Sequence, residues 1–322
     1  MLFRSTCKGP DFPSTVLAHH YPTVPNLGDM TKIAAQVSNG NVPAPDVLVG
    51  GTPCQAFSVA GARRGLDDDR GFLTIKFVEL ANAIDQQRAT NDNPPAVIVW
   101  ENVPGVLSSK DNAFGAFLGF LSGEDCELLP PGGKWSNSGY VHGPQRTIAW
   151  RVLDAQYFGV AQRRRRVFVV ASAREGFDPA AVLFESEGVR RDTQPRHLQQ
   201  SSEHSESLVP RAYDMLGFGQ YGNGITASTC KARDYKDATD LVVMPTGSVR
   251  RLIPVECERL QGFPEGYTLI TYRGKPAADS HRYRALGNSM AVPCMAWIGK
   301  RIDAALLAAL ATEDGVRPCT TK

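Results

Sequence analysis

Asp46-Val47-Leu48-Val49-Gly50-Gly51-Thr52-Pro53-Cys54-Gln55-Ala56-Phe57-Ser58 places a short apolar run and a glycine pair directly before a proline and a cysteine. Residues 47–49 read as a buried strand that Gly50-Gly51 terminates, so Cys54 is expected on a loop at the strand's carboxyl edge. In open α/β sheets that edge is where ligands bind. Taken alone, Cys54 has two readings. An isolated cysteine is most often a small buried hydrophobe, and less often a nucleophile.

Two more runs resemble buried strands, Ala96-Val97-Ile98-Val99-Trp100 and Val167-Phe168-Val169-Val170-Ala171. Between the first two candidate strands, Asp67-Asp68-Asp69 precedes apolar residues at Phe72, Leu73, Ile75, Phe77, Val78, Leu80, Ala81 and Ile84. That spacing predicts an amphipathic helix with acids at its amino end. Strand, helix and strand in succession predict a parallel α/β unit. From 173 to 245 the pattern breaks into Gln199-Gln200-Ser201-Ser202 and then Gly217, Gly219, Gly222 and Gly224 among Phe218, Tyr221 and Tyr235. This predicts a loop-rich insertion. The chain then returns to the first domain at 246–322, with a last helix from near Ala291 through Leu310. No internal repeat is visible.

The 322 residues, 42% hydrophobic and 21% charged, describe an ordinary globular chain, and a net charge of +2 says little about partners. Seven cysteines, an odd number with no Cys-x-x-Cys pair, argue against a disulfide framework and a zinc site. No apolar run approaches the roughly 18 residues of a membrane span, and Met1 to Lys8 lacks a signal-peptide core. A cytoplasmic protein with no membrane partner and no metal is the expectation.

Three further groups of polar residues stand out, two of them beside candidate strands. Glu101-Asn102-Val103-Pro104-Gly105 follows the second strand, bringing a carboxyl group to the edge that carries Cys54. Gln162-Arg163-Arg164-Arg165-Arg166 precedes the third, and its alternate arginines share one side if the segment is extended. Gly287-Asn288-Ser289 precedes the last helix. Separately, these are readable as a helix cap, a solvated or phosphate-binding patch and a turn.

In this order, however, they resemble the DNA (cytosine-5)-methyltransferase family. The family's Pro-Cys-Gln loop is matched by Pro53-Cys54-Gln55, its Glu-Asn-Val by Glu101-Asn102-Val103 and its Gln-x-Arg-x-Arg by Gln162, Arg164 and Arg166. A fourth block is Arg251-Leu252-x-Pro254-x-Glu256-x-x-Arg259-Leu260-Gln261-Gly262-Phe263-Pro264, and the fifth is Gly287-Asn288-Ser289 with Val292-Pro293. The likeness runs from about residue 12 to 302 and thins between 173 and 245.

The resemblance implies an α/β, Rossmann-like, S-adenosylmethionine-dependent methyltransferase sheet. It divides the chain into a catalytic domain at 1–172, a target-recognition domain at 173–245 and a return to the catalytic domain at 246–322. It also implies the roles of residues. Cys54 would add to carbon 6 of a flipped-out cytosine, because carbon 5 is a poor nucleophile until the ring becomes enamine-like. Glu101, with a raised pKa, would contact ring nitrogen 3. Arg166 and Arg164 would hold the base carbonyl and orient Glu101, and Asn102 would fix the loop. Ser58, Arg63 and Arg64 lie on an expected closing loop after Cys54, and Lys231 and Arg233, with Tyr235 and Lys236, are candidate DNA contacts.

For the cofactor, Leu27-Gly28-Asp29-Met30 resembles the block whose aspartate reads the adenine amino group. Asn288 and Ser289 would support the methionine end, and Pro53 would pack nearby. The family's opening Phe-x-Gly-x-Gly turn has no match, and Lys8 falls near the position of the ribose-binding acid. The expectation is therefore an amino-terminally truncated chain, lacking the first strands of the sheet, that methylates poorly or not at all. The partners implied are double-stranded DNA and a cognate restriction endonuclease, for a monomer of prokaryotic or phage origin. Two alternatives stay open, an RNA cytosine-5 methyltransferase and a non-catalytic DNA-binding remnant.

Overall fold

The computed structural model describes residues 11–52, 69–185, 211–217, 220–222, 226–236, 240–243, 246 and 248–313. The first strand, β1 (Val47–Gly50), pairs in parallel with β2 (Val97–Asn102), Val47 opposite Val97 and Gly50 opposite Trp100. The helix Asp69–Thr90 makes the crossover between them. Its residues Phe77, Leu80, Ala81 and Ile84 are buried, as the helical spacing predicts.

Beyond β2 the sheet changes direction. The hairpin β3 (Ser138–His142) and β4 (Thr147–Asp154) is followed by β5 (Arg165–Ser172), and the order across the sheet is β1-β2-β5-β4-β3. β5 runs antiparallel to both β2 and β4. A short connection allows this, since residues 155–164 are too few to cross over to a parallel neighbour of β4. The predicted parallel unit is thus confined to β1 and β2.

Alternation along the central strands fills both faces of the sheet. Ile98, Trp100, Val169 and Ala171 join the helix Asp69–Thr90 and the helix Ala113–Ser122 on one side. Val97, Val99, Phe168 and Val170 meet Cys294, Ile298 and Ile302 of the final helix Val292–Glu313 on the other. The spacing 294, 298, 302 is a single helical stripe. β1 forms one end of the sheet, and an apolar groove runs beside it between Val47, Val49, Val99 and the final helix's Met295, Ile298, Ile302 and Leu306.

A second sheet, of order β7-β6-β8-β9, takes Gln220–Gly222, Arg211–Gly217, Leu241–Val243 and Val249–Arg251. It falls mostly inside the segment read as an insertion. By contrast, the helix Pro179–Leu183 buries Val182 and Leu183 in the core of the main sheet, so residues 173–185 stay with the first sheet. No described helix is long and apolar enough to cross a membrane.

Candidate active site

Register brings the acid and the arginine together. Glu101 is the penultimate residue of β2, and because β5 is antiparallel, its first residues meet that same end, with Asn102 opposite Val167. Arg166 Nε lies 3.0 Å from Glu101 Oε1, and the two side chains are 16% and 14% exposed. The contact is close, yet the N–H is not aimed at the oxygen, and Oε1 lacks a well-directed donor. Burial raises the Glu101 pKa above its usual 4.5, outweighing the charges of the neighbouring Arg166 and Arg164, which lower it. The carboxyl is therefore biased towards its protonated form.

Glycine allows the chain that leads into Pro53-Cys54 to pass against this carboxyl. A Cβ on Gly51 would lie 3.0 Å from the Glu101 carbonyl oxygen, 3.4 Å from Oε2 and 3.7 Å from Met290 Cε. Any side chain here would press on the Glu101 backbone. The next residue, Thr52, is buried and tied at two points. Its carbonyl accepts from Asn102 Nδ2 at 2.9 Å, and its hydroxyl accepts from Trp100 Nε1 at 3.0 Å and pairs with the Thr74 hydroxyl at 2.9 Å. Asn102 Oδ1 in turn accepts from the Val103 N–H at 2.8 Å. The last described residue before Pro53-Cys54 is thus anchored to β2.

Asn102→Ala removes one donor and one acceptor from a buried site. It is expected to lower unfolding free energy by about 1–3 kcal/mol. Urea denaturation checks this, and an unchanged midpoint would show that Thr52 is held by its hydroxyl alone.

The alternation predicted for the arginine run is present. Gln162 and Arg164 are buried and Arg166 is half-buried, whereas Arg163 and Arg165 are exposed. Arg164 differs from its expected role of holding a base carbonyl beside Arg166. Its guanidinium is spent on protein, donating to the carbonyls of Cys230, Gly287 and Ser289 at 3.2, 3.2 and 2.6 Å. Burial, followed by the charge of Arg166, lowers its pKa to about 10. The side chain points at backbone because the fold packs residues 230 and 287–289 directly over it.

Of the predicted cofactor residues, Asp29 caps a short helical turn, accepting from the Thr31 N–H at 3.0 Å and its hydroxyl at 2.8 Å. Met30 is partly buried against the core that contains Leu48 and Phe77. Asn288 is exposed at the end of the helix Asp279–Asn288, and the Ser289 hydroxyl donates to the Leu286 carbonyl at 2.7 Å. Lys231 and Arg233 are exposed on the segment 226–236. Tyr235 lies beneath Lys236 and Arg284, whose cationic groups sit 5.4 and 5.9 Å from its ring. Cys54, Pro53, Gln55, Ser58, Arg63, Arg64 and Lys8 lie outside the described residues.

Thr52, Thr74, Trp100 and Met290 belong to the site's framework and were not singled out from sequence. Only the adjacency of Thr52 to Pro53 and of Met290 to Ser289 could have signalled two of them. Among the described residues no group of three or more His, Cys, Asp and Glu is arranged to hold a metal.

Comparison with known proteins places the chain among methyltransferases. A DNA N-6-adenine-methyltransferase of Escherichia phage P1 is 44% identical, over 92% of this chain and 57% of that protein. The type II methyltransferase M1.ScrFI of Lactococcus lactis subsp. cremoris is 31% identical, over 85% of this chain and 65% of that protein. The chain therefore spans less than two thirds of the length of either relative. In fold, it matches the solved Entamoeba histolytica methyltransferase EhMeth with a TM-score of 0.58 at 15% identity, over 95% of this chain and 90% of that one. The family model for C-5 cytosine-specific DNA methylases matches residues 15–210 and 193–304, and with the Glu101, Asn102 and Arg166 arrangement at the sheet's edge, the chain belongs to that family.

Proposed function

We propose that this chain transfers a methyl group from S-adenosylmethionine to carbon 5 of cytosine in double-stranded DNA, through a covalent adduct on Cys54. One observation carries the reading. Glu101, its pKa raised by burial, stands against Arg166 and beside Gly51-Thr52, which lead into Pro53-Cys54.

S-adenosylmethionine supplies a methyl group activated on a sulfonium. Of the residues that would hold it, Asp29 caps Thr31 through Oδ1 and would offer Oδ2 to an exocyclic amine, Met30 would give an apolar contact, and Asn288 would meet the amino-acid end beside Ser289, whose carbonyl already accepts from Arg164. Pro53 is assigned to packing beside it.

The chain's own residues prepare the base. The Cys54 thiolate adds to carbon 6 while protonated Glu101 donates to nitrogen 3, so that electron density moves towards carbon 5. Arg166 holds the base carbonyl and keeps Glu101 in place, and Asn102 holds the loop's first turn through Thr52. Once carbon 5 is methylated, it gives its proton to a water molecule acting as base, the carbon–sulfur bond breaks so that Cys54 leaves as thiolate, and the proton on nitrogen 3 returns to Glu101. A stacked base cannot meet these groups, so the cytosine is flipped out. Lys231, Arg233, Tyr235 and Lys236, with Ser58, Arg63 and Arg64, are assigned to DNA contact. A cognate restriction endonuclease is a further proposed partner, supported by the type II designation of the Lactococcus relative.

The name of the phage P1 relative favours a second reading, adenine methylation. That protein's activity can reside in the part of it that this chain does not span. Duplex DNA incubated with the chain and labelled S-adenosylmethionine, then digested to nucleosides, separates the two. The label is expected in 5-methylcytosine; label in N6-methyladenine would overturn the cytosine reading.

A further inference from the structure

Arg164 is 3% exposed and grips two separate segments with one rigid fork. Nη1 donates to the Cys230 carbonyl at 3.2 Å, while Nη2 donates to those of Gly287 at 3.2 Å and Ser289 at 2.6 Å. Its backbone is fixed as well, the N–H donating to Asp154 Oδ1 at 3.0 Å and the carbonyl accepting from the Ala155 N–H at 3.1 Å. Gln162, fully buried, adds a second tie. Its Oε1 accepts from the Cys230 N–H at 2.9 Å, and its Nε2 donates to the Leu260 carbonyl at 2.8 Å.

The two gripped segments also touch directly. A Cβ on Gly287 would lie 2.1 Å from Ala232 N and 2.2 Å from the Lys231 carbonyl carbon, so only glycine permits this approach. One segment continues into Lys231, Arg233, Tyr235 and Lys236. The other contains Asn288 and Ser289, and the next residue, Met290, approaches Gly51, three residues before Cys54.

A buried guanidinium is expensive to desolvate, and Arg164 meets three neutral carbonyls, with Glu101 as a nearby opposite charge. We propose that Arg164 is a positioning residue that couples the two substrates: by holding the Cys230 and Ser289 carbonyls together, it makes the placement of the DNA-contacting segment 231–236 and of the cofactor-contacting turn 287–289 a single variable. Ordering of either segment by its ligand then orders the other. This inference rests on the function proposed above, because it takes DNA as the ligand of the first segment and S-adenosylmethionine as that of the second.

Coupling of this kind is reciprocal. In the full chain, a cytosine-containing duplex is expected to tighten S-adenosylhomocysteine by about 5-fold or more, and S-adenosylhomocysteine to tighten the duplex by the same factor. Calorimetry and fluorescence anisotropy read the two constants. Arg164→Lys keeps the charge but loses the fork, and is expected to bring the factor close to 1. Arg165→Lys, at the exposed next residue of the chain, is expected to keep it. Hydrogen exchange gives a readout independent of both ligands. Amides of 228–236 and of 287–290 are expected to exchange faster together in Arg164→Lys, and in Gly287→Ala, which parts the same segments without touching a charge. Retention of the coupling factor in Arg164→Lys, or faster exchange in one segment only, would overturn the proposal. If the wild-type chain instead labels adenine, the cytosine reading falls while the exchange comparison still judges Arg164.

Discussion

Cys54→Ala is expected to abolish methyl transfer and the covalent trapping of the chain on duplex DNA containing 5-fluorocytosine. Fluorine at carbon 5 cannot leave as a proton does, so once the adduct has also been methylated at carbon 5 with S-adenosylmethionine, the nucleophile on carbon 6 stays bonded to the base. Alanine leaves nothing to add. Without the adduct, carbon 5 keeps the low nucleophilicity of an aromatic pyrimidine, and a rate loss on the order of 10⁵- to 10⁶-fold is expected, the scale on which deleting a covalent nucleophile acts. Labelled methyl transfer and a gel-shifted protein–DNA band measure the two effects. A variant that still forms the band would assign the nucleophile to another residue.

The second large effect is at Glu101. Glu101→Gln keeps the shape and a donor but removes the titrating proton, and a fall of about 10²–10³-fold in kcat is expected. The pH dependence carries the diagnostic. Burial raises the carboxyl's pKa, and the proposed role needs the protonated form. The unsubstituted chain should therefore lose activity as pH rises through the raised pKa, and the variant's residual activity should lack that descending limb.

Stability follows the same group with a definite sign. Between the ordinary value of 4.5 and the raised folded value, the folded chain holds a proton that the unfolded chain has released. This contribution is fully present below 4.5 and declines as pH rises through that window. A descending limb that survives Glu101→Gln would place the titrating group elsewhere.

Much of this site was readable along the chain. The three central strands are runs of β-branched and aliphatic residues bounded by glycine or polar residues, and each forms close to its predicted span. The helix Asp69–Thr90 and the final helix follow from apolar spacing. Placement of Glu101 at the carboxyl end of its strand needed only the strand and the order of residues. The Thr52 anchor was not legible, because its partners Thr74, Trp100 and Asn102 are 22, 48 and 50 residues away and ordinary in type. The helix Pro179–Leu183 was assigned to the insertion for a similar reason. Five residues between polar stretches carry no period long enough to reveal which core they join.

The residue types of the site and their order were settled by the chain alone: a cysteine after a strand, an acid after the next, and alternate arginines before a third. Their meeting was not. An arginine that precedes a strand sits at that strand's amino end, which in an all-parallel sheet is the edge opposite Cys54 and Glu101. Only the antiparallel pairing of β5 with β2 reverses this, bringing Arg166 to within 3.0 Å of Glu101. The same packing turned Arg164, its near neighbour and chemical twin, onto backbone carbonyls. Strand direction and burial arise from contacts between residues far apart in sequence, so two like arginines acquire different partners only when the chain is folded.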